Sequence, residues 1–132
     1  MGIMIAKPLI GVDSIKFGML RLDLRNILGD FKAFKKSEFS KNTTDDFSFC
    51  HVYYDDNDKV EAIEIFSGTN IKVYEERILP NTSEEAYKII KLLDKETEID
   101  GDYYTSVKLS IGITCENGSV ESVVFGKENY YK

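Results

Sequence analysis

The 132-residue chain has no tryptophan, one histidine, two cysteines and two prolines. A single histidine, His51, cannot supply the several imidazoles on which hydrolytic metal sites ordinarily draw. Two cysteines, Cys50 and Cys115, make no disulfide framework in a chain able to bury its own core; they point to a reducing compartment, the cytoplasm. The glycines are scattered and never precede a Lys-Ser or Lys-Thr pair, so no phosphate-cradling loop is encoded. No stretch approaches the roughly 20 consecutive apolar residues of a membrane-spanning helix. The apolar start, residues 1–10, is interrupted by Lys7 and Pro8 and lacks the basic lead and cleavage site of a secretory signal. Residues 3–12 read instead as a first strand or a packed arm.

Basic residues are also in deficit, 17 against 23 acidic, for a net charge of −6. Such a surface repels phosphates, which excludes nonspecific nucleic-acid and anionic-membrane binding and favours a basic protein partner. Hydrophobic residues at 42% and charged residues at 30% are the proportions of a folded globular chain, and the length is that of a single domain over 1–132.

What is present is periodicity. Apolar residues Phe17, Leu20, Leu24, Ile27 and Leu28 recur at helical spacing, with Asp13 or Ser14 as cap and Gly29 as terminator. Residues 31–46 form a polar connection carrying one short strand. The segments 47–54 and 59–66, rich in β-formers and joined by Asp55-Asp-Asn-Asp58, form a hairpin. Residues 71–74 make a further strand. A second helix starts after Pro80 with Thr82 or Ser83 as cap and Glu84 and Glu85 in its first turn; Ala86, Ile89, Ile90 and Leu93 form its apolar face, with Leu92 at the margin. Val107, Leu109, Ile111 and Ile113 alternate with polar residues, Glu116-Asn-Gly118 is a hairpin turn, and Ser119–Phe125 is the return strand. The return strands of the two halves share Val60-Glu-Ala-Ile63 and Val120-Glu-Ser-Val123, which reads as a degenerate tandem repeat with halves 13–74 and 81–126. The expected architecture is α+β: two helices packed on one face of a curved antiparallel sheet.

The segment Ile15-Lys-Phe-Gly-Met-Leu-Arg-Leu-Asp-Leu-Arg-Asn-Ile-Leu-Gly29 resembles the Gly-Met-x-x-x-x-Val-x-x-x-Leu-Gly helix of the small outer-membrane assembly lipoproteins. Those proteins and the tandem-repeat beta-lactamase inhibitor proteins share a helix-plus-antiparallel-sheet architecture. The resemblance implies that architecture and the binding of proteins through the uncovered sheet face, as also expected of an immunity-type protein that neutralises a toxin. It carries over no individual binding residue, because the matched motif is a packing motif.

Candidate chemistry is thin. Cys50 and His51 are strand neighbours and point to opposite faces, a poor geometry for a nucleophile and its base. Asp55 to Asp58 fail the calcium-loop pattern, since Val60 or Glu61 stands where that loop needs glycine. Asp45, Asp46, Glu61 and Glu64 read as solvated acids near strand ends. No catalytic residue, metal or cofactor is therefore expected. The aromatic content is richer, with eight Tyr and eight Phe. In the first hairpin Phe47, Phe49, His51 and Tyr53 share one parity and Ser48, Cys50, Val52 and Tyr54 the other; parity alone does not tell which stripe faces outward. Phe47, Phe49, His51 and Tyr53, with Glu64 on the facing strand, are the candidate partner-binding residues. The leading expectation is a noncatalytic protein-binding module. The alternatives are a small-ligand binder or enzyme with a pocket near His51, and a structural homo-oligomer associating through the sheet face or an unpaired edge.

Overall fold

The computed structural model describes residues 2–35, 37–38 and 42–132. The chain is α+β, with two helices and two sheets among the described residues. The first hairpins, β1 (Met4–Lys7), β2 (Gly11–Val12) and β3 (Ile15–Lys16), lead to helix α1 (Arg21–Leu28). Four strands follow: β4 (Lys32–Lys35), β5 (Thr43–Asp46), β6 (Cys50–Tyr54) and β7 (Val60–Phe66). A short excursion, β8 (Ile71–Val73) and β9 (Glu76–Leu79), precedes helix α2 (Ser83–Leu93). Four more strands complete the chain: β10 (Glu98–Asp100), β11 (Tyr103–Ser106), β12 (Ile111–Glu116) and β13 (Ser119–Gly126).

The larger sheet has eight strands in the order β10-β11-β12-β13-β7-β6-β5-β4, every neighbour antiparallel. The smaller has five, β3-β2-β1-β8-β9, with a parallel contact between β1 and β8. The sequence pattern does not separate this second sheet from the first. Strand β13 touches β2 and β9 of the smaller sheet, and α2 contacts β9, β11 and β13. One continuous apolar cluster fills the space between, with Val12, Ile15, Leu24, Ile63, Ile65, Ile71, Ile78, Leu79, Ile90, Ile111 and Phe125 all shielded from solvent.

Local chemistry explains most element boundaries. Thr82 caps α2, its hydroxyl accepting from the Glu85 N–H at 3.2 Å, and Ala86, Ile89 and Ile90 are buried while Leu92 stays 77% exposed, as the apolar spacing predicts. The β12–β13 turn places Asn117 and Gly118 at φ 53° and 80°, the paired left-handed conformations that favour an Asn-Gly hairpin. The first helix departs from expectation. Asp13-Ser14 is a hairpin turn between β2 and β3, with Asp13 at φ 49° and its carboxylate accepting from the Ile5 N–H at 2.8 Å. Helix α1 starts only at Arg21, leaving Leu20 and Ile27 exposed while Leu24 is buried. The 31–46 connection holds two strands, not one, on either side of residues 36 and 39–41, which lie outside the description. Residues 107–110 form a turn, so the strand expected there starts at Ile111.

A buried charge cluster pins α1 to the sheet. Asp45 on β5 is fully buried; its carboxylate accepts two hydrogen bonds from Arg25 (2.8 and 2.7 Å) and one from the Tyr54 hydroxyl (2.8 Å). Arg21, one turn earlier, lies 3.6 Å from Asp45, stacks over the Tyr54 ring at 4.0 Å and reaches Asp58 at 3.1 Å. Every polar atom of the Asp45 carboxylate is thus engaged, which is the condition for holding a charge away from water. Asp45→Ala, which leaves Arg25 without its carboxylate and Arg21 with Asp58 and Thr43 only, is expected to lower unfolding free energy by about 3–5 kcal/mol. Asp58→Asn, at the exposed end of the same network, should cost less than about 1 kcal/mol. Urea midpoints of the two variants test the difference.

Candidate functional site

The helices and the smaller sheet lie against one side of the eight-stranded sheet, and strand register decides what faces the other side. Asp45, Val52, Ile63, Phe125 and Ile111 stand in one cross-strand row and are buried between the sheets. The adjacent row, Lys32, Asp46, His51, Glu64, Val124 and Gly112, therefore points the opposite way. A third row on that open side holds Phe66, Ser122, Thr114 and Tyr103, the last 58% exposed.

Two groups of side chains occupy the open face. In the first, the His51 ring is flanked by Phe34 at 5.1 Å and Phe66 at 4.6 Å, both edge-on, and its Nε2 lies 3.7 Å from the Asp46 carboxylate. Phe34, His51, Phe66 and Asp46 are all part-exposed. In the second, Glu64 accepts hydrogen bonds from the Tyr53 hydroxyl and, at 3.1 Å, from Ser122. Over this pair folds the tail. Gly126 N–H donates to Ser110 O at 2.8 Å, Lys127 N–H donates to Glu61 O at 2.8 Å, and the Tyr130 and Tyr131 rings meet edge-on at 5.1 Å. Two glycines make room for them. A Cβ on Gly126 would stand 2.5 Å from Tyr130 Cβ and Cγ, and one on Gly112 would stand 2.2 Å from the Tyr131 hydroxyl. The terminal tyrosine pair thus packs onto the sheet.

Of the five expected partner-binding residues, His51, Tyr53 and Glu64 come together on the open face. Phe47 and Phe49 do not. Phe47 is 5% exposed within the core, and Phe49 packs against that core beside a groove of about 310 Å³ lined also by Ile3, Met4, Asp13 and Leu28. The reason is local: β6 begins only at Cys50, and Ser48 at φ 73° turns the chain, so the strand alternation counted back from His51 does not extend to them. Phe34, Phe66 and Ser122 are members that the sequence reading missed. Phe66 shares the parity of Glu64, opposite to that of Ile63 and Ile65, and was identifiable on that ground, whereas Phe34 lies in a strand with no clear alternation.

Burial favours the neutral form of several tyrosines and of one cysteine of the sheet and tail. Burial raises the Tyr53 hydroxyl, reinforced by its bond to Glu64, and burial likewise raises Tyr130 and Tyr131. On the inner side, burial and then the Asp45 bond raise Tyr54, and burial pushes the Cys50 thiol up to about 12. Cys50 is fully buried on the side opposite His51, so thiol and imidazole do not meet. Among the described residues no group of three or more His, Cys, Asp or Glu side chains is arranged to hold a metal ion, and no helix is long and apolar enough to cross a membrane. No protein-family model matches the chain, and no curated protein or solved structure matches it either.

Two expectations follow from this arrangement. Gly126→Ala forces Tyr130 off its seat; amide exchange over 127–132 should accelerate and stability fall by about 1–3 kcal/mol, read by exchange mass spectrometry and urea unfolding. The raised thiol and tyrosines also set an alkaline limit. Unfolded Cys and Tyr ionise near 9.0 and 10.0 while the folded groups do not, so the unfolded state binds fewer protons there. Stability should be full below pH 9 and fall progressively above it, with the buried tyrosines' share of the tyrosinate absorbance appearing together with unfolding; a urea midpoint flat to high pH would contradict this.

Proposed function

We propose that this chain is a noncatalytic protein-binding module whose contact surface is the open face of the eight-stranded sheet. The observation that carries the reading is the Phe34–His51–Phe66 ring row, part-exposed beside Asp46 and Glu64 on a face that neither helix covers. Rings of this kind offer large contact area at low entropic cost, and flanking carboxylates select a basic counterpart. With a net charge of −6, the most concrete form is an immunity-type inhibitor that caps a basic toxin. Tyr53 acts beneath the surface, holding the part-exposed Glu64 carboxylate in place through their hydrogen bond.

The two halves are read as a degenerate tandem repeat. A helix followed by four antiparallel strands occurs twice, and the halves join where β7 pairs with β13. Within that pair Glu64 stands opposite Val124, a separation of 60 residues (124 − 64), the same offset that aligns Val60-Glu-Ala-Ile63 with Val120-Glu-Ser-Val123. That one pair of equivalent positions stands face to face, as a twofold relation between the halves would require. This supports the resemblance to the tandem-repeat inhibitor proteins and, with it, binding through the uncovered face.

Tagged protein incubated with native lysate in low and high salt tests the reading by mass spectrometry. The expected result is a stoichiometric basic protein, released by salt. Phe66→Asp should weaken its capture by at least about tenfold, while Leu92→Asp, on the exposed side of α2, should leave it unchanged. Capture that survives Phe66→Asp in a folded variant would remove the open face from the proposal.

A further inference from the structure

The eight-stranded sheet ends in two edges of opposite charge. Among the described residues, β4 pairs only with β5 and β10 only with β11, so each presents an outer row of backbone groups. Edge β4 reads Lys-Ala-Phe-Lys and edge β10 reads Glu-Ile-Asp; both lysines and both acids are exposed. Asp46, which stands opposite Lys32 within the chain, lies against His51 at 3.7 Å. Ile99 at the centre of β10 is 47% exposed. An unpaired edge is a template for another strand, and its side chains decide which strand it accepts.

We propose that a second copy of this chain adds edge to edge, its β4 pairing antiparallel with β10 to continue the sheet. Three features of the fold converge on this partner. First, seven antiparallel pairings separate the edges, so β4 and β10 run in opposite directions and a neighbouring copy in the same orientation meets β10 antiparallel. Second, face parity matches in one centred register. Lys32 and Phe34 lie on the open face, as do Glu98 and Asp100, which stand opposite Thr105 and Tyr103. Setting Lys32 opposite Asp100 and Phe34 opposite Glu98 places Ala33 opposite Ile99 on the inner side and covers that isoleucine. Lys32 is then directly across from one carboxylate and diagonal to the other, both within reach of a long side chain. Third, the like-with-like alternatives are penalised: two β10 edges would set Glu98 against Asp100, and two β4 edges would bring lysines together. The contact is head-to-tail, each copy keeping one edge free for the next. Two strands this short bury far less than the roughly 1,200 Å² of a stable complex, so the association is weak and concentration-dependent. Phe34 lies in both surfaces, its backbone in the edge and its ring in the row against His51, while His51 and Phe66 lie on inner strands away from the edge contact.

Two charge-reversed variants test the proposal: Lys32→Glu with Lys35→Glu, which makes both edges acidic, and Glu98→Lys with Asp100→Lys, which makes both basic. Sedimentation velocity of the wild-type chain across a wide concentration range should show reversible self-association that weakens in high salt. Each variant alone, folded by circular dichroism, should associate at least about tenfold more weakly. An equimolar mixture of the two should regain association, with slowed amide exchange confined to β4 and β10. A wild-type chain whose sedimentation does not change with concentration would overturn the proposal. So would variants that associate as the wild type does, or a mixture that stays monomeric or gains protection elsewhere.

Discussion

The antiparallel pairing of β7 with β13 fixes the side on which the functional groups of this protein lie. Among the described residues it is the pairing that joins the first four strands of the large sheet to the last four, and its register runs unbroken from Ser122↔Phe66 to Gly126↔Ala62. Side chains alternate along a strand, so a slip of one residue at this seam would either turn Val123 and Phe125 of β13 to the solvent or turn Glu64 of β7 into the core. Placing a carboxylate among Ile63, Ile65 and Ile111 without partners would cost several kcal/mol. Burial of the inner apolar row and exposure of the outer one therefore enforce the same register, and the open face inherits its composition from that choice.

The two sides treat their acids differently, and the difference follows from solvent access. On the inner side Asp45 is fully enclosed and has two guanidinium groups and a phenol converging on it. On the outer side Glu64 is part-exposed and has two hydroxyl donors, with the tyrosines of the tail above it. The first arrangement is an anchor between α1 and the sheet. The second leaves the carboxylate at a surface that the C-terminal segment shapes, beside the rings of His51 and its two phenylalanine neighbours.

Much of the fold was legible in residue order. Helix α2 and its cap, the hairpin of β6 and β7, and the Asn117-Gly118 turn each rest on a signal confined to a few adjacent residues. The start of α1 was not legible, because the apolar spacing from Phe17 to Leu28 also fits a hairpin that buries Ile15 followed by a helix that buries Leu24. A second sheet was invisible for a related reason. Strands β1 and β8 lie 67 residues apart (71 − 4) in a parallel contact, and no local pattern encodes which distant strand a short apolar segment joins. Of the site, His51, Tyr53 and Glu64 were within reach of parity counting, but Phe47 and Phe49 were not, since one left-handed residue at Ser48 resets the count.

The sequence by itself determined the element types, the acidic balance and the absence of a histidine-rich or phosphate-cradling motif, all properties of composition and of neighbours along the chain. The tertiary structure decided which aromatic stripe faces outward, that Arg21 and Arg25 turn inward to a buried aspartate, and that the sheet ends in one basic and one acidic edge. Those outcomes depend on which strands become neighbours. Neighbours in a sheet are chosen by the burial of whole faces at once, a quantity that no single segment of the chain contains.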